Sequence, residues 1–214
     1  MEYGQICADV DMERLEARNG LLQFDEIRRL ADVGWANPGT VAIDDTMVQR
    51  LHAFATDGIF SYAGTFRTGP VGIGGTGHVP PPASDVPGHI ESMTAYVAAN
   101  WSAKPVHLCS FLLWRCNWIH PFFNGNGRTT RGLAYLTFLL RLGYEPGGAP
   151  TFVDMISADK RLYYSALDDA DAAWAAGKVD VSSMEAVVSR LIAAQLMQIV
   201  DDAGVSMTDS RPAP

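Results

Sequence analysis

Only three cysteines occur in the 214 residues, Cys7, Cys109 and Cys116, and none forms a CxxC pair. An odd, scattered set excludes a disulfide framework and a zinc site, and it fits a reduced compartment. Basic charge is also short. Sixteen Lys and Arg face 24 Asp and Glu, a net charge of −8, and no basic stripe interrupts the chain, so nucleic acid and anionic membrane are poor partners. Long apolar runs are missing too: the longest, Leu133–Leu140, is flanked by Arg131 and Arg141, far short of the roughly 20 residues that cross a bilayer. The first residues, MEYGQICADVDMERLE, carry acids where a secretory leader carries bases. These absences predict a cytoplasmic protein with no membrane segment and no nucleic-acid partner. No internal repeat is present.

What remains is ordinary globular material, 48% hydrophobic and 19% charged, long enough for one domain with a sizeable core. Most of it reads as helix. Leu21–Val33 carries a stripe at Leu21, Leu22, Phe24, Ile27 and Leu30, and Asp44–Ala55 carries another at Met47, Val48, Leu51 and Phe54. Further helices are predicted over His89–Asn100, Pro105–Ile119, Gly127–Leu142, Phe152–Ala175 and Ser182–Asp201, the last with Ser182 as N-cap and Glu185 completing a capping box. The Pro105–Ile119 segment is apolar nearly all round, the mark of a central helix. Between them, Val71–Ile73 and His78–Val79 flank Gly74-Gly75-Thr76-Gly77, a pattern predicting a small β-hairpin. The expected organisation is an all-α domain over 21–202 with one inserted hairpin. Residues 1–20 precede it as a segment that packs on the core as a helix, and a flexible tail follows over 203–214.

The segment with chemistry is His120-Pro-Phe-Phe-Asn-Gly-Asn-Gly-Arg-Thr-Thr-Arg131, between two apolar helices. Gly125 and Gly127 allow a sharp turn and a close backbone approach. The helix that follows turns its free N–H groups and positive dipole end toward the loop, an anion site before any side chain is added. Arg128 and Arg131, three apart, add two guanidinium groups on one face, which suits a polyphosphate. His120 at the start of the loop suits a general base.

These twelve residues resemble the signature of the Fic family, HPFx(D/E)GNGRxxR, at every position but one. Gly64-Thr-Phe-Arg67, Val71–Ile73 and His78-Val-Pro-Pro-Pro82 look like that family's strand-and-flap segment, and Asp159–Leu167 looks like its post-motif helix. The likeness spans roughly residues 20–175. It implies a helical bundle with a hairpin flap and a nucleotidyltransferase that moves AMP from Mg-ATP (or Mn-ATP) onto a Ser, Thr or Tyr hydroxyl of a target protein. By this resemblance His120 is the base. Gly125, Asn126, Gly127 and Arg128 cradle the α- and β-phosphates, Arg128 and Arg131 neutralise the β- and γ-phosphates, and Phe122 anchors the loop in the core. Val71, Gly72, Ile73, His78 and Val79 form the target-docking flap, and Tyr163 and Tyr164 offer faces for adenine.

One position departs. Asn124 stands where AMP-transferring members carry an acid, and a neutral amide is a weaker metal ligand than a carboxylate. A donor other than ATP (another nucleotide or a phosphocholine conjugate) and a catalytically weakened binding protein therefore stay as alternatives. The family's inhibitory pattern, (S/T)xxxE(G/N), has no match. The nearest stretch, Met12-Glu-Arg-Leu-Glu16-Ala17, offers Glu16 as a carboxylate partner for Arg131. Otherwise restraint falls to a separate antitoxin-like partner or to self-association.

Overall fold

The computed structural model describes residues 3–74 and 76–208. The described residues hold eight α-helices: α1 (Asp9–Ala36), α2 (Asp45–Thr56), α3 (Val86–Ala99), α4 (Pro105–Ile119), α5 (Asn126–Leu142), α6 (Phe152–Ala158), α7 (Arg161–Ala175) and α8 (Ser182–Thr208). They divide into two compact units, Met1–Gly143 and Tyr144–Pro214.

In the first unit α4 is the buried centre. Leu108 through Cys116 and Ile119 are all buried, as a helix apolar on every side requires. Its main partner is α5, which in turn packs on α1 and α2. Close approach is local. A side chain on Gly132 of α5 would meet Ile27 and Gln23 of α1 within 3.3 Å, and the Trp35 indole of α1 donates to the Leu139 carbonyl of α5 at 2.9 Å. Cys109 and Cys116 fill α4 as small apolar groups. Burial raises both thiol pKa values, that of Cys116 to about 11.

α1 begins at Asp9, so the expected N-terminal segment and the helix read over 21–33 are one element. Its buried face (Asn19, Gln23, Ile27, Leu30) keeps a helical spacing across Gly20, and no proline interrupts it. The Asp44 carboxylate caps α2 by accepting the Met47 N–H at 2.8 Å.

The expected hairpin over Val71–Val79 is absent. Apart from Gly75, which lies outside the described residues, this stretch is irregular, and the sole β-bridge among the described residues joins Gln5 to Phe60. The reason is physical. A two-stranded ribbon is marginal alone, glycines at 72, 74 and 77 raise the entropy of ordering it, and Val79 is 82% exposed, with no partner face to pack on.

The second unit corrects two more boundaries. Phe152–Ala175 is two helices, because Asp159 is extended and its carboxylate accepts the Arg161 N–H at 3.1 Å. The resulting contacts with Arg161 hold the Asp159 carboxyl down at about 2. The capping box of this unit is at Thr151 and Asp154, whereas Ser182 is the first residue of α8 and its N–H goes to Asp180. α8 continues through Thr208, past the expected end at Asp201. The rest of the expected tail, 209–214, lies outside the described residues. By length and composition Ser182–Asp201 could cross a membrane, but its Met184, Val188 and Gln195 are buried. Gln195 knits the unit: its amide donates to the Gly147 and Gly148 carbonyls and accepts the Phe152 N–H.

Candidate functional site

The site lies in the first unit, where the chain leaves α4 at His120 and re-enters helix at Asn126. His120 is the C-cap of α4 and takes a left-handed conformation, φ 48° and ψ 61°, which costs a non-glycine residue roughly 1–2 kcal/mol. The surroundings hold it there. Its N–H donates to the Cys116 carbonyl at 3.0 Å, and its carbonyl accepts from the Arg67 Nε at 2.8 Å. The ring is half-buried, and its Nδ1 is buried without a well-formed hydrogen bond. Burial pulls the imidazole down to about 4; the Arg67 and His78 charges act the same way and the nearby Asn117 backbone opposes them. The free protein therefore presents a neutral imidazole at pH 7.

The loop is closed from within. Phe122 is fully buried and lies face to face with His52 of α2, centroids 3.6 Å apart and planes 2° from parallel. This is the anchoring role expected of it. The Asn126 side chain accepts the Phe122 N–H at 2.9 Å and donates to the Phe122 carbonyl at 2.8 Å. Expected to reach phosphate, that amide instead ties Phe122 to the start of α5. Gly125 precedes α5 with φ 74°, and a side chain there would lie 2.7 Å from the Thr56 Cγ2 of α2. No side chain caps α5, so its first N–H groups face the loop.

Arg131 folds back across this helix start; its Nη1 lies 3.1 Å from the place a side chain on Gly127 would occupy. Arg128 turns toward α1 and α2. It donates to the Ala55 carbonyl at 3.1 Å and pairs with the Glu16 carboxylate at 3.1 Å. Glu16, expected opposite Arg131, thus meets the first arginine of the motif.

A divalent cation finds no built place here. The Asn124 Oδ1 accepts the Gly125 N–H at 2.6 Å, and no group of three His, Cys, Asp or Glu side chains suited to a metal exists among the described residues. Tyr163 and Tyr164 belong to the second unit. Tyr163 is buried and so has no free face for adenine, whereas Tyr164 is half exposed.

Two residues of the site escaped the sequence reading. His52 accepts the Gly64 N–H on Nδ1 at 2.8 Å. Nδ1 therefore carries no proton, and Nε2–H donates to the Asn124 carbonyl at 3.1 Å. Burial lowers this imidazole also to about 4, so it stays neutral and keeps both bonds. Arg67 is 2% exposed and reaches four carbonyls, those of Ile119, His120, Gly69 and Pro81. Each had a signal. His52 falls on the buried face of α2, four residues from Val48, and Arg67 is the sole Lys, Arg, Asp or Glu between Asp57 and Asp85.

The segment that carries this geometry is also the one that known proteins match. Residues 42–138 match the model of the Fic/DOC family. Over 140 residues the chain is 29% identical to proteins named protein adenylyltransferase Fic from Drosophila willistoni and Drosophila persimilis; the match takes in 64% of this chain and 27% of each relative. The chain thus spans about a quarter of those proteins. Among solved structures, a Fic family protein from Desulfovibrio desulfuricans superposes with TM-score 0.66 at 20% identity, over 97% of this chain and 57% of the other. Fic-1 from C. elegans gives 0.64 at 19%, over 88% and 52%. A Fic domain containing signaling protein from Bacteroides thetaiotaomicron gives 0.67 at 19%, over 92% and 75%. The signature loop, α4 and most of α5 thus lie in the segment, 42–138, through which the chain resembles the Fic/DOC family.

Proposed function

We propose that the chain transfers AMP from ATP to a hydroxyl side chain of another protein. The observation that carries this is the juxtaposition of His120 with the uncapped start of α5, with Arg128 and Arg131 in its first two turns. The backbone N–H groups after Gly125 and the Arg131 guanidinium receive the phosphates. The target hydroxyl oxygen bonds to the α-phosphorus, the bond from that phosphorus to the pyrophosphate oxygen breaks, and the hydroxyl proton passes to His120. Catalysis here is chiefly placement and charge stabilisation. The Val71–Val79 stretch, irregular when free, receives an extended target segment through its exposed backbone. Glu16 restrains the site in cis, because a phosphate that recruits Arg128 must compete with its carboxylate.

The reading rests also on the printed names of the Drosophila relatives. The test is incubation with ATP radiolabelled at the α-phosphate, with Mg²⁺ or Mn²⁺, alone and with cell lysate, beside His120→Ala. Label on a protein band that His120→Ala abolishes is the expected outcome. Asn124 favours a second reading, transfer from another donor or binding alone, since the loop lacks its carboxylate. Absence of label with either metal while ATP still binds would move the assignment there.

A further inference from the structure

We infer that Arg67 is a positioning residue that holds His120 and both ends of the 69–81 segment in one buried cage, so that the base and the surface offered to the target are set by a single side chain. This rests on the reading of His120 as the base. Nε donates to the His120 carbonyl at 2.8 Å, one Nη to the Gly69 carbonyl at 3.0 Å, and the other Nη to the carbonyls of Pro81 and of Ile119, the latter at 3.3 Å. The Arg67 backbone N–H adds a bond to the Pro121 carbonyl at 2.8 Å. Four of the five guanidinium N–H groups thus end on carbonyls. Two of those carbonyls, Ile119 and His120, and the Pro121 carbonyl bound by the backbone N–H run through the left-handed turn at His120, and the Gly69 and Pro81 carbonyls close the base of the 69–81 segment.

Stability alone does not explain the arrangement. Arg67 is 2% exposed, burial lowers its pKa, and no carboxylate pairs with it among the described residues. A buried charge compensated only by carbonyl dipoles is a costly way to fill space. What a guanidinium offers that an apolar side chain cannot is a rigid fork joining several backbone points. Those points belong to two elements that the proposed reaction must register against each other, the base and the target-docking segment. His78 adds a second tie, its Nε2 lying 2.8 Å from the Trp118 carbonyl at the end of α4. Lysine keeps the charge but presents one nitrogen, so it spans fewer of the four carbonyls.

The test compares wild type with Arg67→Lys and Arg67→Gln by NMR, ATP calorimetry and AMP-transfer rate. The phosphate site stands on α5, which Arg67 does not touch, so ATP affinity should stay within about twofold while the rate at saturating ATP falls about a hundredfold. The amide signals of Gly69 and His120 should shift together. An unaltered rate in folded Arg67→Lys, or a Gly69 shift without a His120 shift, overturns the proposal. So does a parallel loss of ATP affinity, which is what a merely structural role gives. If both variants fail to fold, the wild-type Arg67 Nε–H signal decides: slow exchange with water supports the cage and fast exchange refutes it. If wild type transfers no AMP, the enzymatic reading fails by itself, while the coupled Gly69 and His120 shifts still report on the cage.

Discussion

His120 is both strained in its backbone and depressed in its side-chain pKa, and the same neighbours cause both. The cage that fixes its left-handed conformation also brings the Arg67 charge to the ring and removes water from it. A base near 4 is weak, but a bound triphosphate adds negative charge beside it and favours the imidazolium. An NMR titration should therefore find the His120 ring near 4 in the free protein and clearly higher with ATP bound; an unchanged value would place the phosphates away from this ring. Glu16 acts on the other side of the site. Its pair with Arg128 is 45% and 21% exposed at the two side chains, and pairs of that kind are worth ~0–1 kcal/mol. Glu16→Gln should tighten ATP binding by up to about fivefold, measured by calorimetry; no gain would leave Glu16 a surface residue.

Among the elements, the loop 120–125 and the start of α5 depend on α2. His52 stacks on Phe122 and binds the Asn124 carbonyl, and Thr56 stands against Gly125. Gly125→Ala should cost about 2–3 kcal/mol in urea unfolding, from a left-handed alanine and a contact with Thr56 Cγ2 that the buried α2 cannot relieve. Adding Thr56→Ser removes that methyl and keeps a hydroxyl for the bond to the His52 carbonyl, so it should recover part of the loss. Full recovery would mean that the backbone conformation carries no strain. The 71–79 stretch shows the converse: His78 reaches the Trp118 carbonyl, but no strand among the described residues pairs with it. Its alternating pattern suits a strand, but strand pairing needs a second surface, and the free chain supplies none.

Across the whole chain, two neutral imidazoles, His52 buried and His120 half-buried, tie stability to pH. His52 and His120 titrate near 6.5 when unfolded and near 4 when folded. The unfolded chain therefore binds protons first as pH falls. Their contribution is complete above about 6.5 and drains away between there and about 4, on the order of 3 kcal/mol for each at most. Denaturation midpoints should drop between pH 7.5 and 5, and His52→Gln should flatten that drop. An equal drop in the variant would assign it to carboxylates instead.

Much of this was legible because local rules suffice for it. An apolar stretch apolar on all sides has to be a central helix, so Pro105–Ile119 was found with its limits intact. Asp44 was read at the head of α2, and Gly-Asn-Gly-Arg was read at a helix start, where α5 begins at Asn126. The family resemblance follows from those twelve residues. Tertiary structure decided what depends on partners distant in sequence. Helix at 9–20 continues α1 because nothing breaks it, and the Phe152–Ala175 pattern splits because Asp159 captures the next turn's N–H. The roles of Arg67, His52 and Glu16 are set by atoms 53, 72 and 112 positions away. A sequence states which residues carry charge or a ring, but only packing brings a carbonyl or a guanidinium within 3 Å of them.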